Sequence, residues 1–447
     1  MKLKHLSAFV LSALLAAAPI AAYGADITLD ENTDFSGDCF QFQFEGQQKI
    51  TDEQTLTLAA YNDQQQLVDL HTLSVAGWSK YNRFPVRLDD YLTDKNKATT
   101  LKAFLWDNTL TPFAACSVLG ESTVTNLEQP TVCTFYDNKP AALSITFDDG
   151  KYDAAKYYNS IFRQRGLCGT AFLIANSTLQ NDVPKWRELL NEGYVDVGNH
   201  SASHAIKYDE SSVTPEVLET DITKAYENLS EWFPDQNILT FASPWGRITE
   251  DSRAEMKKNH YANRIAGGNL QNANPQGDNW FSIRCFTYNG HTTAEMNGWI
   301  DNAIQNKGWA VELLHSYVPG DTPNGLNIAE TIFDEHTKYI AEKKGQLWIA
   351  TFNQVTAYIK ERQSATVTID WANETTMGLT VTDSLPDQQF HQPLTLTVNV
   401  PLDWKNGATY SQNGRGDYSQ VVHTAPGKRY VQINAIPDGG RVILQKR

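Results

Sequence analysis

Ser144-Ile145-Thr146-Phe147-Asp148-Asp149-Gly150 decides how this chain is read. Ala141 to Phe147 is a short, mostly apolar run with β-branched Ile145 and Thr146. That is the composition of a strand covered on both faces. Gly150 permits a turn that a side chain would resist. Two aspartates are thus left at the carboxyl end of a buried strand, where α/β folds gather their chemistry. Adjacent carboxylates repel, and one protonates unless a divalent cation favours both anions. The tripeptide reads either as part of a metal site or as an ordinary solvated turn.

The next such run is Val195-Asp196-Val197-Gly198-Asn199, followed by His200-Ser201-Ala202-Ser203-His204. Histidines four apart share one face of a helical turn and can meet one ion. Two histidines and one aspartate, with a coordination position left open, match a catalytic zinc site. A third strand-like run, Trp309 to Leu314, ends in His315. An imidazole there titrates near neutrality and can protonate a leaving group.

Thr146-Phe147-Asp148-Asp149-Gly150, His200-Ser201-Ala202-Ser203-His204 and Leu313-Leu314-His315, in that order, resemble motifs of the polysaccharide deacetylases. These are the NodB-homology enzymes of carbohydrate esterase family four. The resemblance spans roughly residues 131 to 362. It implies a distorted (β/α) barrel and metal-dependent removal of acetyl groups from sugars. By resemblance, Asp149, His200 and His204 are the metal ligands, Asp148 is the general base and His315 the general acid. The third motif corresponds to Ala242-Ser243-Pro244-Trp245-Gly246, which assigns the Trp245 backbone N–H to the oxyanion.

Two departures from the family pattern stand out. The arginine that supports the catalytic aspartate is replaced by Ala242, leaving Arg247, Arg264 and Arg284 as candidates to supply the charge. The fourth motif, an Asp and Trp pair that orients the acid histidine, has Asp278-Asn279-Trp280 as its nearest match.

The rest of the chain frames this core. Lys2 and Lys4, the 15-residue apolar run Leu6 to Ile20 and the small residues that follow read as a cleavable signal peptide over 1–25. The expected location is secreted or periplasmic. Net charge is -15, or -17 after loss of Lys2 and Lys4 (35 basic against 52 acidic residues). That balance argues against nucleic acid and anionic membranes as partners. Residues 26–128 read as an all-β, sandwich-like domain: Phe40, Phe42 and Phe44 alternate with polar residues, and Leu56–Tyr61 and Leu67–Val75 form a hairpin-like pair. Trp78 and Trp106 read as core residues there, with sugar binding the alternative. Residues 129–362 alternate strands and helices, as a parallel α/β sheet requires. Thr214 to Phe233 reads as one long helix, capped by Thr214 with Pro215 in its first turn. Residues 363–447 return to β patterning and read as a second, C-terminal β-sandwich-like domain. Five cysteines suit an exported chain, with Cys39–Cys116 and Cys168–Cys285 the expected pairs.

The expected substrate is an acetylated poly- or oligosaccharide, N-acetylated and chitin- or peptidoglycan-like. The alternatives are O-acetyl esterase action on acetylxylan or a related polymer, and a sugar-binding protein whose barrel has lost turnover. Zinc is the expected metal, with cobalt and nickel next in ligand preference.

Overall fold

The computed structural model describes residues 127–447 except 269, 272, 413–414, 420 and 426–427. Before residue 127 it describes segments 26–29, 39–45, 55–61, 66–74, 83–87, 100–106 and 112–119, and residue 124. The signal-peptide segment 1–25, Trp78 and the side chains of Cys39, Trp106 and Cys116 lie outside the described part. No described helix is long and apolar enough to cross a membrane.

The chain divides into two compact units: Cys133–Ser364 with Ser384–Thr395, and Met1–Val132 with Ala365–Asp383 and Leu396–Arg447. The second is built of β-sheets. One is a four-stranded antiparallel sheet in which Thr55–Tyr61 pairs with Leu67–Ser74, so the expected hairpin pairing is present. Strands Thr366–Ala372, Thr376–Thr382, Ala408–Gln412, Arg415–Ser419 and Val442–Lys446 form a five-stranded sheet.

The other unit holds β1 (Ala141–Phe147), β2 (Gly169–Leu173), β3 (Val195–Asn199), β4 (Thr240–Ala242), β5 (Ala262–Ala266), β6 (Ile283–Thr287), β7 (Trp309–Leu314) and β8 (Leu347–Ile349). Strands β1 to β7 are parallel neighbours in chain order, and β7 returns to β1, closing a seven-stranded barrel. The distortion lies beside β1. Its first half pairs with β8 at Ala141–Leu143 and its second half with β2 at Ile145–Phe147. β8 therefore fills the gap where β2 diverges.

Alternation along β1 sends Leu143, Ile145 and Phe147 outward, against helices α1 (Tyr152–Arg165), α2 (Ser177–Leu190), α3 (Thr293–Asn306) and α4 (Glu330–Glu342). Ser144, Thr146 and Asp148 face the other way, into the barrel. The opposite end of the barrel is closed by α5 (Phe352–Ser364). Asn353 of α5 donates to Asp196 Oδ2 at 2.9 Å and to the Val197 carbonyl, and accepts from the Thr240 hydroxyl at 2.8 Å.

Burial pushes the Asp196 carboxyl up to about 6. Its folded pKa exceeds its unfolded one, so stability falls as pH rises from about 4 through 6 and levels off above. Asp196→Asn is expected to raise stability at pH 8, by about 3 kcal/mol at most, and to change nothing near pH 3.5. Chemical denaturation at the two pH values measures this.

The expected Cys168–Cys285 bridge is absent, since both thiols are free. Cys168 precedes β2 and Cys285 lies in β6, with two strands between them on the shorter way round the barrel. Strands are spaced nearly 5 Å apart, so the gap exceeds the roughly 7 Å that a disulfide spans.

Candidate active site

The sequence-derived site residues all follow barrel strands at their carboxyl ends. Asp148 and Asp149 follow β1, His200 and His204 follow β3, Trp245 follows β4 and His315 follows β7. Asp149 adopts φ 71° and Gly150 φ 62°. Left-handed backbone is costly for most residues but tolerated by Asp and free for Gly.

Asp149, His200 and His204 converge, with ligand atoms within 4.8 Å of one another. Nε2 of each histidine is 3.8 Å from Asp149 Oδ1. The helical turn expected for the two histidines does not form. Residues 200–204 follow β3 as a bend, with φ 66° at Ser201 and 56° at His204. Two left-handed residues turn the chain back on itself and bring the imidazoles to 4.7 Å, centroid to centroid.

His200 is 1% exposed. Its Nδ1–H donates to the Ala242 carbonyl at 2.7 Å, which leaves the lone pair on Nε2. Nε2 is buried and hydrogen-bonds to nothing. Burial also holds this imidazole below its ordinary pKa and so keeps it neutral. A buried, neutral, unpaired nitrogen beside a carboxylate and a second imidazole is the donor set a divalent cation takes. Asp149, His200 and His204 are the residues that would hold it.

Asp148 is 4% exposed and lies 3.6 Å from His200 Nε2. Burial pushes its carboxyl up, but the Arg264 guanidinium, with His200 and His315, outweighs this and holds it below the usual carboxylate range. Arg264 Nη2 lies 2.5 Å from Oδ1 and 2.6 Å from Oδ2 of Asp148. Of the three candidate arginines, Arg264 is therefore the one that answers the gap at Ala242. The register explains how. Ala242 on β4 and Arg264 on β5 are direct partners, so their side chains leave the sheet side by side on one face. The Arg264 guanidinium carbon sits 5.1 Å from the Phe172 ring centroid. That ring has space because position 198 is glycine, where a Cβ would approach it to 2.3 Å.

Asp278 does not reach His315. It sits on the surface, paired with Lys257 at 2.7 Å and Arg253 at 3.4 Å, while Trp280 is buried. Trp245 is 56% exposed with φ 60°. Its indole N–H donates to the His204 carbonyl at 3.1 Å, and its ring lies 5.2 Å from the His204 ring.

The site also uses a residue that sequence reading passed over. Instead of one continuous helix, residues 215–232 form two α segments, Pro215–Leu218 and Lys224–Trp232, joined by a π turn at Glu219–Thr223. The Thr214 cap and Pro215 stand as expected. Within the π turn, Asp221 faces the histidine bend. A π turn in an otherwise regular helix often marks a functional site.

Residues 136–263 match the family model of the polysaccharide deacetylases. The chain is similar to a gellan lyase from Bacillus sp, 27% identical over 336 residues. The match covers 70% of this chain and 13% of that relative, so the chain spans about an eighth of its length. Among solved structures it is similar to a family 4 carbohydrate esterase from Streptomyces lividans, with 18% identity, TM-score 0.33, and 47% of this chain and 91% of that one covered. It is also similar to a peptidoglycan deacetylase from Bacillus subtilis, with 19% identity, TM-score 0.33, and coverage of 51% and 94%. The residues that match the polysaccharide deacetylase model form part of the closed parallel barrel and include Asp148, Asp149, His200, His204 and Trp245.

Proposed function

We propose that this protein is a secreted, zinc-dependent deacetylase that hydrolyses N-acetyl groups of amino-sugar polymers or oligomers of chitin or peptidoglycan type. One observation carries the reading: the convergence of Asp149, His200 and His204 around the unpaired His200 Nε2, beside an ionised Asp148. The Arg264 contact supports turnover over mere sugar binding, because the charge missing at Ala242 is present at Asp148. A zinc ion held by the three ligands would polarise the acetyl carbonyl and make water more acidic.

The chain's own groups do the rest. Asp148 takes a proton from the attacking water as its oxygen bonds to the acetyl carbon. The Trp245 backbone N–H donates to the developing oxyanion. When the C–N bond breaks, His315 protonates the departing amine, and acetate remains.

Acetate release tests this, with N-acetylglucosamine oligomers and acetylxylan offered side by side, with and without chelator. Chelator-sensitive release from the N-acetyl substrate is expected. Release from acetylxylan alone would move the assignment to an ester substrate. His200→Ala is expected to lose both bound zinc and activity. If metal content and turnover both survive that change, the ligand set is wrong. Recovery of the mature chain from culture medium, starting near residue 26, tests export.

A further inference from the structure

We infer that Asp221 is a positioning residue for the metal-binding histidines, and that the π turn carrying it is the device that delivers it. The inference rests on the proposed metal site. Asp221 is buried, and two donors from the histidine bend and one from Tyr208 beyond it converge on its carboxylate. Oδ1 accepts from the Ser203 N–H at 3.1 Å and the Ser203 hydroxyl at 2.9 Å, and Oδ2 accepts from the Tyr208 hydroxyl at 3.0 Å.

The backbone of the turn joins in. The Asp221 carbonyl accepts from the Ala202 N–H at 2.9 Å. The Ile222 carbonyl accepts from Asn199 Nδ2 at 3.1 Å. In an unbroken α-helix these carbonyls would serve the helix ladder. In the π turn they accept from the bend. From there the chain of contacts reaches the ligands. Asn199 Oδ1 accepts from the Ser201 N–H at 3.0 Å, and the Ser201 hydroxyl accepts from the His204 N–H at 2.9 Å.

Ser201 and His204 both hold left-handed backbone. Such residues persist only where their surroundings over-determine them, and Asp221 is the carboxylate that does so here. Without it, Ser203 and Tyr208 lose their shared acceptor and the bend can relax. His204 then leaves its place 3.8 Å from Asp149 Oδ1. Outer groups that orient metal ligands typically account for about 10- to 100-fold in metal affinity.

The test is zinc affinity of the full chain, measured by competition with a chromogenic chelator, alongside kcat at saturating zinc. Asp221→Ala is expected to weaken zinc binding about 10- to 100-fold and to recover most of its kcat when zinc saturates. Unchanged affinity would overturn the inference, as would a kcat that stays low at saturating zinc. Should Asp221→Ala fail to fold, the double variant Ser203→Ala/Tyr208→Phe keeps the carboxylate and removes its two hydroxyl donors. A weakened zinc affinity is expected there too, and an unchanged one overturns the inference. A wild-type chain that takes up no zinc overturns the proposed function as well. A zinc-binding wild type with an indifferent Asp221→Ala overturns this inference alone.

Discussion

Arg264→Met is expected to destabilise the barrel by about 3–5 kcal/mol at pH 7, the cost of leaving one member of a buried ion pair uncompensated. Both partners are nearly inaccessible, at 2% and 4% exposure, so water cannot take the place of the guanidinium. The sign of the pH dependence follows from the pair. Asp148 has its folded pKa depressed below 3.8, so its contribution is present above that value and is lost as pH falls through the folded pKa. Wild type and variant should therefore converge in acid. Urea denaturation at pH 7 and in acid measures both limbs, and an equal gap at both would contradict the ion-pair account. Arg264→Lys should recover part of the loss, since an ammonium keeps the charge but lacks the planar guanidinium. The register supplies a sharper check. Ala242→Arg combined with Arg264→Ala moves the guanidinium one strand across on the same face, and is expected to restore much of the stability and turnover that Arg264→Ala removes.

Asp148→Asn is expected to lower kcat by about 10²- to 10⁴-fold, the usual contribution of a positioned base. The replacement keeps the shape and an oxygen for Arg264, but an amide takes no proton at neutral pH. Asp149, His200 and His204 are untouched, so zinc content should match wild type by metal analysis. Full activity in this variant would remove Asp148 from the role of base. Loss of zinc together with activity would instead make it part of the metal site.

Much of this protein could be read from local pattern. The apolar run at 141–147, the pair of aspartates and the strand-like segments before His200 and His315 are short-range signals. They place the chemistry at strand ends because strands and turns depend on neighbours a few residues apart. The Thr214 cap and Pro215 were legible for the same reason. The continuous helix expected over 214–233 was not what formed, because nothing in its composition announces a π turn. That turn depends on Asp221 and Ile222 finding partners about twenty residues earlier in the chain. The helical turn expected for His200 and His204 failed similarly. Spacing alone is satisfied by a helix or by a bend with two left-handed residues, and contacts with Asp221 favour the bend.

What the sequence determined by itself is the class of domain and the identities of Asp148, Asp149, His200, His204 and His315 as candidates, since each sits beside a recognisable strand. Only the tertiary structure chose Arg264 over Arg247 and Arg284, separated Cys168 from Cys285, sent Asp278 to the surface and brought Asp221 to the histidines. Those outcomes depend on strand register and barrel closure. They join residues as far apart as 148 and 264 through the packing of the whole barrel, and no local window of sequence carries that information.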